Sequence, residues 1–103
     1  MPQATPITDP QRRWLKQHAH HLKPVVLLGQ AGLSEAVLAE IERALDHHEL
    51  IKVRVNGGDR DERDAQVEAI AEHTGSDLVQ RIGNTASYFR ANPKRAERIL
   101  LPI

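Results

Sequence analysis

Apolar residues recur along this chain at two spacings, and the change from one to the other sets out its elements. Trp14, Leu15, His18, Ala19 and Leu22 fall at i, i+1, i+4, i+5 and i+8, the stripe of an amphipathic helix. Thr8 or Asp9 suits the cap of that helix and Pro10 its first turn. Lys23-Pro24 ends it, because a residue before proline is driven out of the α region. The run Val25-Val26-Leu27-Leu28 then predicts a first strand, and its lack of alternation predicts cover on both faces. The turn Gly29-Gln30-Ala31-Gly32 follows, and Ser34 caps a second helix whose buried stripe is Val37, Leu38, Ile41, Ala44, Leu45 and His48.

From Leu50 to Val55 the period falls to two, with Ile51, Val53 and Val55 on one face and Lys52 and Arg54 on the other. Asn56-Gly57-Gly58-Asp59 breaks the chain before a third helix over roughly 60–74, with Val67, Ile70 and Ala71 as its apolar edge. Gly75 stands where a helix C-cap belongs. A strand from Asp77 to Ile82 turns at Gly83-Asn84 into a last strand from Thr85 to Arg90, a hairpin. The order α-β-α-β-α-β-β predicts an α/β domain on a four-stranded mixed sheet. Right-handed crossovers put the second and third helices on one side and leave the first to cover the other. A flexible leader is expected over 1–8, the domain over 9–91 and a C-terminal tail over 92–103.

Charge changes this picture more than composition does. The formal net charge is zero, yet residues 1–34 hold four bases against one acid and residues 78–103 five bases against one. Residues 35–77 hold five bases against twelve acids. If the fold joins the two ends, a basic face stands opposite an acidic one, and the local field decides the partner. Charge segregation alone leaves nucleic-acid binding and protein–protein interaction equally open. Cysteine is absent, which excludes disulfides and thiolate metal sites and fits a cytoplasmic protein. No apolar stretch has membrane-spanning length, and the polar first residues lack the charged and hydrophobic regions of a signal peptide.

Candidate chemistry is sparse. The six histidines include His18 and His21 at i, i+3 and the pair His47-His48, but no converging ligand set accompanies them. Histidine near a helix C-terminus is explained by the dipole. Ser34 and Ser87 lack a nucleophile-elbow setting, and the glycine turn lacks the endings of a P-loop or a dinucleotide fingerprint. No enzyme activity and no cofactor are expected. The turn offers a phosphodiester chain close approach to main chain and a helix N-terminus behind it.

The string Leu22-Lys23-Pro24-Val25-Val26-Leu27-Leu28-Gly29-Gln30-Ala31-Gly32-Leu33-Ser34, followed by His47-His48-Glu49-Leu50-Ile51-Lys52-Val53, resembles the CRM domain (chloroplast RNA splicing and ribosome maturation). The resemblance is to its stand-alone bacterial YhbY-type form, and it covers roughly residues 11–90. It implies a fold like the C-terminal domain of translation initiation factor three, a monomer without catalytic activity, and a role in RNA binding. The RNA implied is ribosomal RNA or a precursor of the large subunit. The implied contacts are Gly29, Gln30, Ala31 and Gly32, with Arg12, Arg13, Lys16, Lys23, Lys52 and Arg90 around them. Gln30 and Ala31 are neutral where the family often places Lys, Arg or Ser, so phosphate contact falls to main-chain N–H groups or to Gln30. Tyr88 and Phe89 alternate faces, so at most one is expected to stack on a base. The rival expectation is a protein–protein module that uses the acidic middle region on ribosomal particles.

Overall fold

Each helix begins where a side chain closes its first turn. The structure, a computed structural model, describes residues 7–29 and 31–102. In α1 (Asp9–Ala19), Thr8 Oγ1 accepts from Gln11 N at 3.2 Å while Gln11 Oε1 accepts from Thr8 N at 3.0 Å, a reciprocal capping box. Ser34 caps α2 (Glu35–His48) by accepting from Val37 N at 3.2 Å. Asp59 caps α3 (Arg60–Thr74) by accepting from Glu62 N at 2.9 Å, and Gly75 ends that helix in the left-handed conformation. Of the leader expected over 1–8, residues 1–6 lie outside the described residues; Thr8 is the cap and Ile7 packs beside α1.

The strands are β1 (Val26–Leu28), β2 (Leu50–Val55), β3 (Asp77–Ile82) and β4 (Thr85–Phe89), in the spatial order β1-β2-β4-β3. β1 runs parallel to β2, and β4 runs antiparallel to both of its neighbours. β3 therefore points the same way as β1 and β2. α2 and α3 share one face, where Ile41, Leu45, Val67 and Ile70 bury against Val26, Leu28, Val53, Val55 and Tyr88. α1 takes the other face, where Leu15 and Ala19 meet Leu50, Val79 and Phe89. The tail extends this second core through Ile99 and Leu101, and Gln11 Nε2 donates to Pro102 O at 2.9 Å.

Three expectations change. β1 is not covered on both faces: Val25 is 51% and Leu27 57% exposed. α1 lies over β2, β4 and β3, too far along the sheet to shield the edge strand. Neither Tyr88 nor Phe89 is open to stack, because both are buried, and Tyr88 Oη donates to Val67 O at 2.8 Å. Burial, with Glu68 as the second cause, pushes the Tyr88 phenol well above its ordinary range. His48, placed in the buried stripe of α2, is exposed at the end of that helix.

Candidate nucleic-acid interface

Because β1, β2 and β3 point the same way, the segments that follow them emerge at one edge of the sheet. These are residues 29–34, 56–59 and the Gly83-Asn84 turn, with the N-termini of α2 and α3 behind them. Two main-chain bonds tie the segments together: Asn56 N donates to Leu28 O at 3.0 Å, and Val55 N donates to Asn84 O at 2.7 Å.

The two glycines of the first segment differ in their reasons for being there. Gly32 is buried at φ +71°, and a Cβ on it would lie 3.0 Å from Gln66 Nε2 of α3. Its N–H donates to Gly29 O at 3.0 Å and its carbonyl accepts from Ser34 N at 3.1 Å, so Gly32 shapes the turn. Gly29 is exposed, and a Cβ there would meet nothing within 4 Å. Among the described residues, nothing beyond its chain neighbours requires Gly29 to lack a side chain. Ala31 is exposed, and Gln30 lies outside the described residues.

Below this edge, on the α1 side, four residues form a row across all four strands: Leu27 pairs with Arg54, Arg54 with Thr85, and Thr85 with Ile82. Leu27 and Ile82 are 57% and 55% exposed, and Arg54 is exposed between them. The next row down, which contains Lys52, Ser87 and Gln80, is overlain by the segment leaving α1. Leu22 and Lys23 lie beside Val25 and Lys52, and His20 and His21 beside Gln80. Ser87 is buried accordingly.

The basic residues divide into free and engaged. Arg13, Lys16 and Lys23 are exposed, and Lys52 is half-buried. Arg12 reaches across to β3, where its guanidinium donates to Leu78 O beside Asp77. Arg90 is more deeply committed, with its side chain 12% exposed. It pairs with Glu42, with Asp46 at 2.9 Å, and donates to Thr74 O at 2.7 Å, fastening β4 to α2 and α3. That employment sets Arg90 apart from the loop edge. The contacts expected from sequence did not include Arg54, Arg60, Arg63 or Arg81, because nothing in the chain order shows that β2, α3 and β3 bring them to this edge. A shallow hollow at the edge is lined by Arg60, Arg63, Asp64, Arg81, Gly83 and Asn84. Its acid is spoken for: the hydrogen bond from Arg81 holds the Asp64 carboxyl below the usual carboxylate range. Among the described residues, no group of three or more His, Cys, Asp or Glu is placed to hold a metal, and no helix is long and apolar enough to cross a membrane.

Comparison with known proteins places this architecture. The model of the CRS1/YhbY (CRM) domain matches residues 7–90. The chain belongs to the CRM domain family. A relative from Haemophilus influenzae, named an RNA-binding protein, is 48% identical over 98 residues, covering 95% of this chain and 97% of its own. One from Pseudomonas aeruginosa, named a probable RNA-binding protein, is 48% identical over 88 residues, 85% of each chain. A Bacillus subtilis protein with the same description is 35% identical over 93% of this chain and 99% of its own. The solution structure of a hypothetical protein from Staphylococcus aureus superposes with a TM-score of 0.79 at 34% identity, covering 94% of this chain and all of that one. These relatives are named for binding RNA, and the Staphylococcus aureus structure shares this fold over nearly the whole chain.

Proposed function

We propose that this CRM protein binds RNA at the edge formed by the Gly29–Gly32 turn, with Lys23, Lys52 and Arg54 supplying charge on the α1 side. The observation that carries the proposal is Gly29, whose missing side chain answers to no packing contact among the described residues and leaves main chain open to a close-approaching phosphate. The RNA-binding names of the relatives support the same reading. Arg13 and Lys16 extend the basic side along α1, whereas Arg12 and Arg90 act in the fold. Contacts of this kind position phosphates and read shape more than base edges. We further propose that the target is ribosomal RNA or a precursor large-subunit particle, met in the cytoplasm by a monomer.

Retention of a large-subunit RNA fragment on filters, measured across salt concentrations, tests the reading. The logarithm of the affinity should fall linearly with the logarithm of salt, with a slope of about −0.7 to −0.9 per phosphate contact. A flat response would favour the rival, in which the exposed acids of α2 and α3 (Glu35, Glu40, Glu68 and Glu72 among them) face a protein on the particle.

A further inference from the structure

At the other end of β1 from the glycine turn, the chain encloses a cleft of about 450 Å³. That volume lies within the range that holds a small organic ligand, roughly 300–1,000 Å³. Its apolar walls include Trp14 from α1, Leu22 and Val25 from the crossing segment, Leu50 from β2 and Ile99 from the tail. Its polar lining consists of Lys23, Lys52, His18 and His48, and among the described residues no carboxylate lines it. In a chain with as many acids as bases, a cleft whose described lining holds two lysines and no acid is matched to an anionic ligand with a flat apolar body. Trp14 supplies the flat wall; its ring sits 3.8 Å from that of His18, with 38° between the planes. The imidazoles and ammonium groups offer donors to base edges or phosphate oxygens.

The cleft is also continuous with the surface already described. Lys23, Val25 and Lys52 line it, and the same strands carry Leu27 and Arg54 upward to the Gly29 turn. From Val25 to Gly29 is about 13 Å along the strand. We propose that the cleft captures one unpaired base of the bound RNA against Trp14, with the flanking phosphates on Lys23 and Lys52 and the strand continuing over Leu27 and Arg54 to the turn. This rests on the RNA-binding reading above and adds to it a nucleotide subsite and a preference for unpaired RNA. Sequence alone hid the subsite, because Trp14 and Leu22 read as one helix's core stripe and Ile99 as loose tail.

Trp14 is the chain's single tryptophan, so its emission reports the cleft directly. The test titrates the full chain with two RNA probes, a hairpin with an unpaired loop and a blunt duplex of the same stem. Binding is read in parallel by mobility shift. The proposal expects the hairpin to quench Trp14 along the same curve as the shift and to bind more tightly than the duplex. Trp14→Leu should weaken hairpin binding about 5- to 150-fold, the loss of one base stack. Leu22→Glu sets a carboxylate at an exposed rim position, so it keeps the fold even if the tryptophan variant does not, and it should weaken binding at least about tenfold. A normal mobility shift with unmoved emission, and with Leu22→Glu binding as tightly as wild type, overturns the subsite and leaves the loop reading standing. No shift with either RNA overturns the loop reading and the subsite together. Quenching by an acidic peptide that RNA fails to compete away overturns the subsite in favour of a protein partner.

Discussion

Arg95 and Glu49 lie 46 residues apart in sequence and meet at 2.8 Å, where the Glu49 side chain is fully buried. Glu49 ends α2 with φ +62° and ψ −41°, a sparsely populated positive-φ conformation that costs a residue with a Cβ about 1–3 kcal/mol. Its carboxylate also accepts from Asn92 N and Ile99 N, each at 2.7 Å, so one buried charge gathers three points of the tail. Arg95→Met should leave that charge without its ion partner and destabilise the fold by about 3 kcal/mol, the lower part of the range for breaking a buried pair. Urea unfolding measures the loss, and faster proteolytic cutting after Asn92 should accompany it. An unchanged midpoint would mean that the ion pair adds nothing to the main-chain hydrogen bonds and the Ile99 and Leu101 packing that also hold the tail.

Gly29 and Gly32 should part company under substitution. Gly32→Ala places a Cβ at φ +71° and 3.0 Å from Gln66 Nε2, so a loss of at least about 1–2 kcal/mol is expected. Gly29→Asp adds a side chain into open space and should stay within about 0.5 kcal/mol of wild type. If the turn lies against phosphate, the same Gly29→Asp change should nevertheless abolish RNA retention. A folded Gly29→Asp protein with full affinity would remove the turn from the interface.

Arg54 and Arg90 make a second contrast. Arg54 stands exposed in the open row, so Arg54→Gln should reduce the magnitude of the salt slope by about 0.7–0.9, one phosphate contact, with unfolding unchanged. Arg90→Gln removes the shared partner of Glu42 and Asp46 and should lower stability while leaving the slope of the folded protein unaltered. Thermal unfolding and salt titration on the same two variants separate these roles. A fall in slope for Arg90→Gln would return that residue to the RNA side.

Much of the fold is local and therefore readable. Thr8, Ser34 and Asp59 announce helix starts by capping chemistry, and crossover handedness puts α2 and α3 together without knowledge of any contact. What stayed hidden depends on distance across the sheet. The run Val25 to Leu28 shows no alternation, and only the reach of α1 decides that Leu27 faces water. Arg90 reads as a free cation until Glu42 and Asp46 are brought beside it from 48 and 44 residues away. The motif Gly29-Gln30-Ala31-Gly32 gives both glycines equal weight, whereas Gln66 distinguishes them. Trp14 becomes part of a cleft only when Ile99 closes it.

Asp77, at the start of β3, offers a test by pH. Burial raises its carboxyl above the ordinary range, opposed by a hydrogen bond from the Ile7 main chain and by the Arg12 guanidinium. A carboxyl with a raised folded-state value holds its proton more tightly in the native protein than in the unfolded chain. Native protein therefore binds more protons through that interval, and the contribution of Asp77 to stability is present at low pH and lost as pH rises through the folded value. Asp77→Asn cannot ionise and escapes that loss. Measured by urea unfolding between about pH 3 and pH 7, the stability of the variant relative to wild type should climb as pH rises through the carboxylate range and then level off. A difference that falls with pH would show that the Arg12 attraction outweighs the cost of burial.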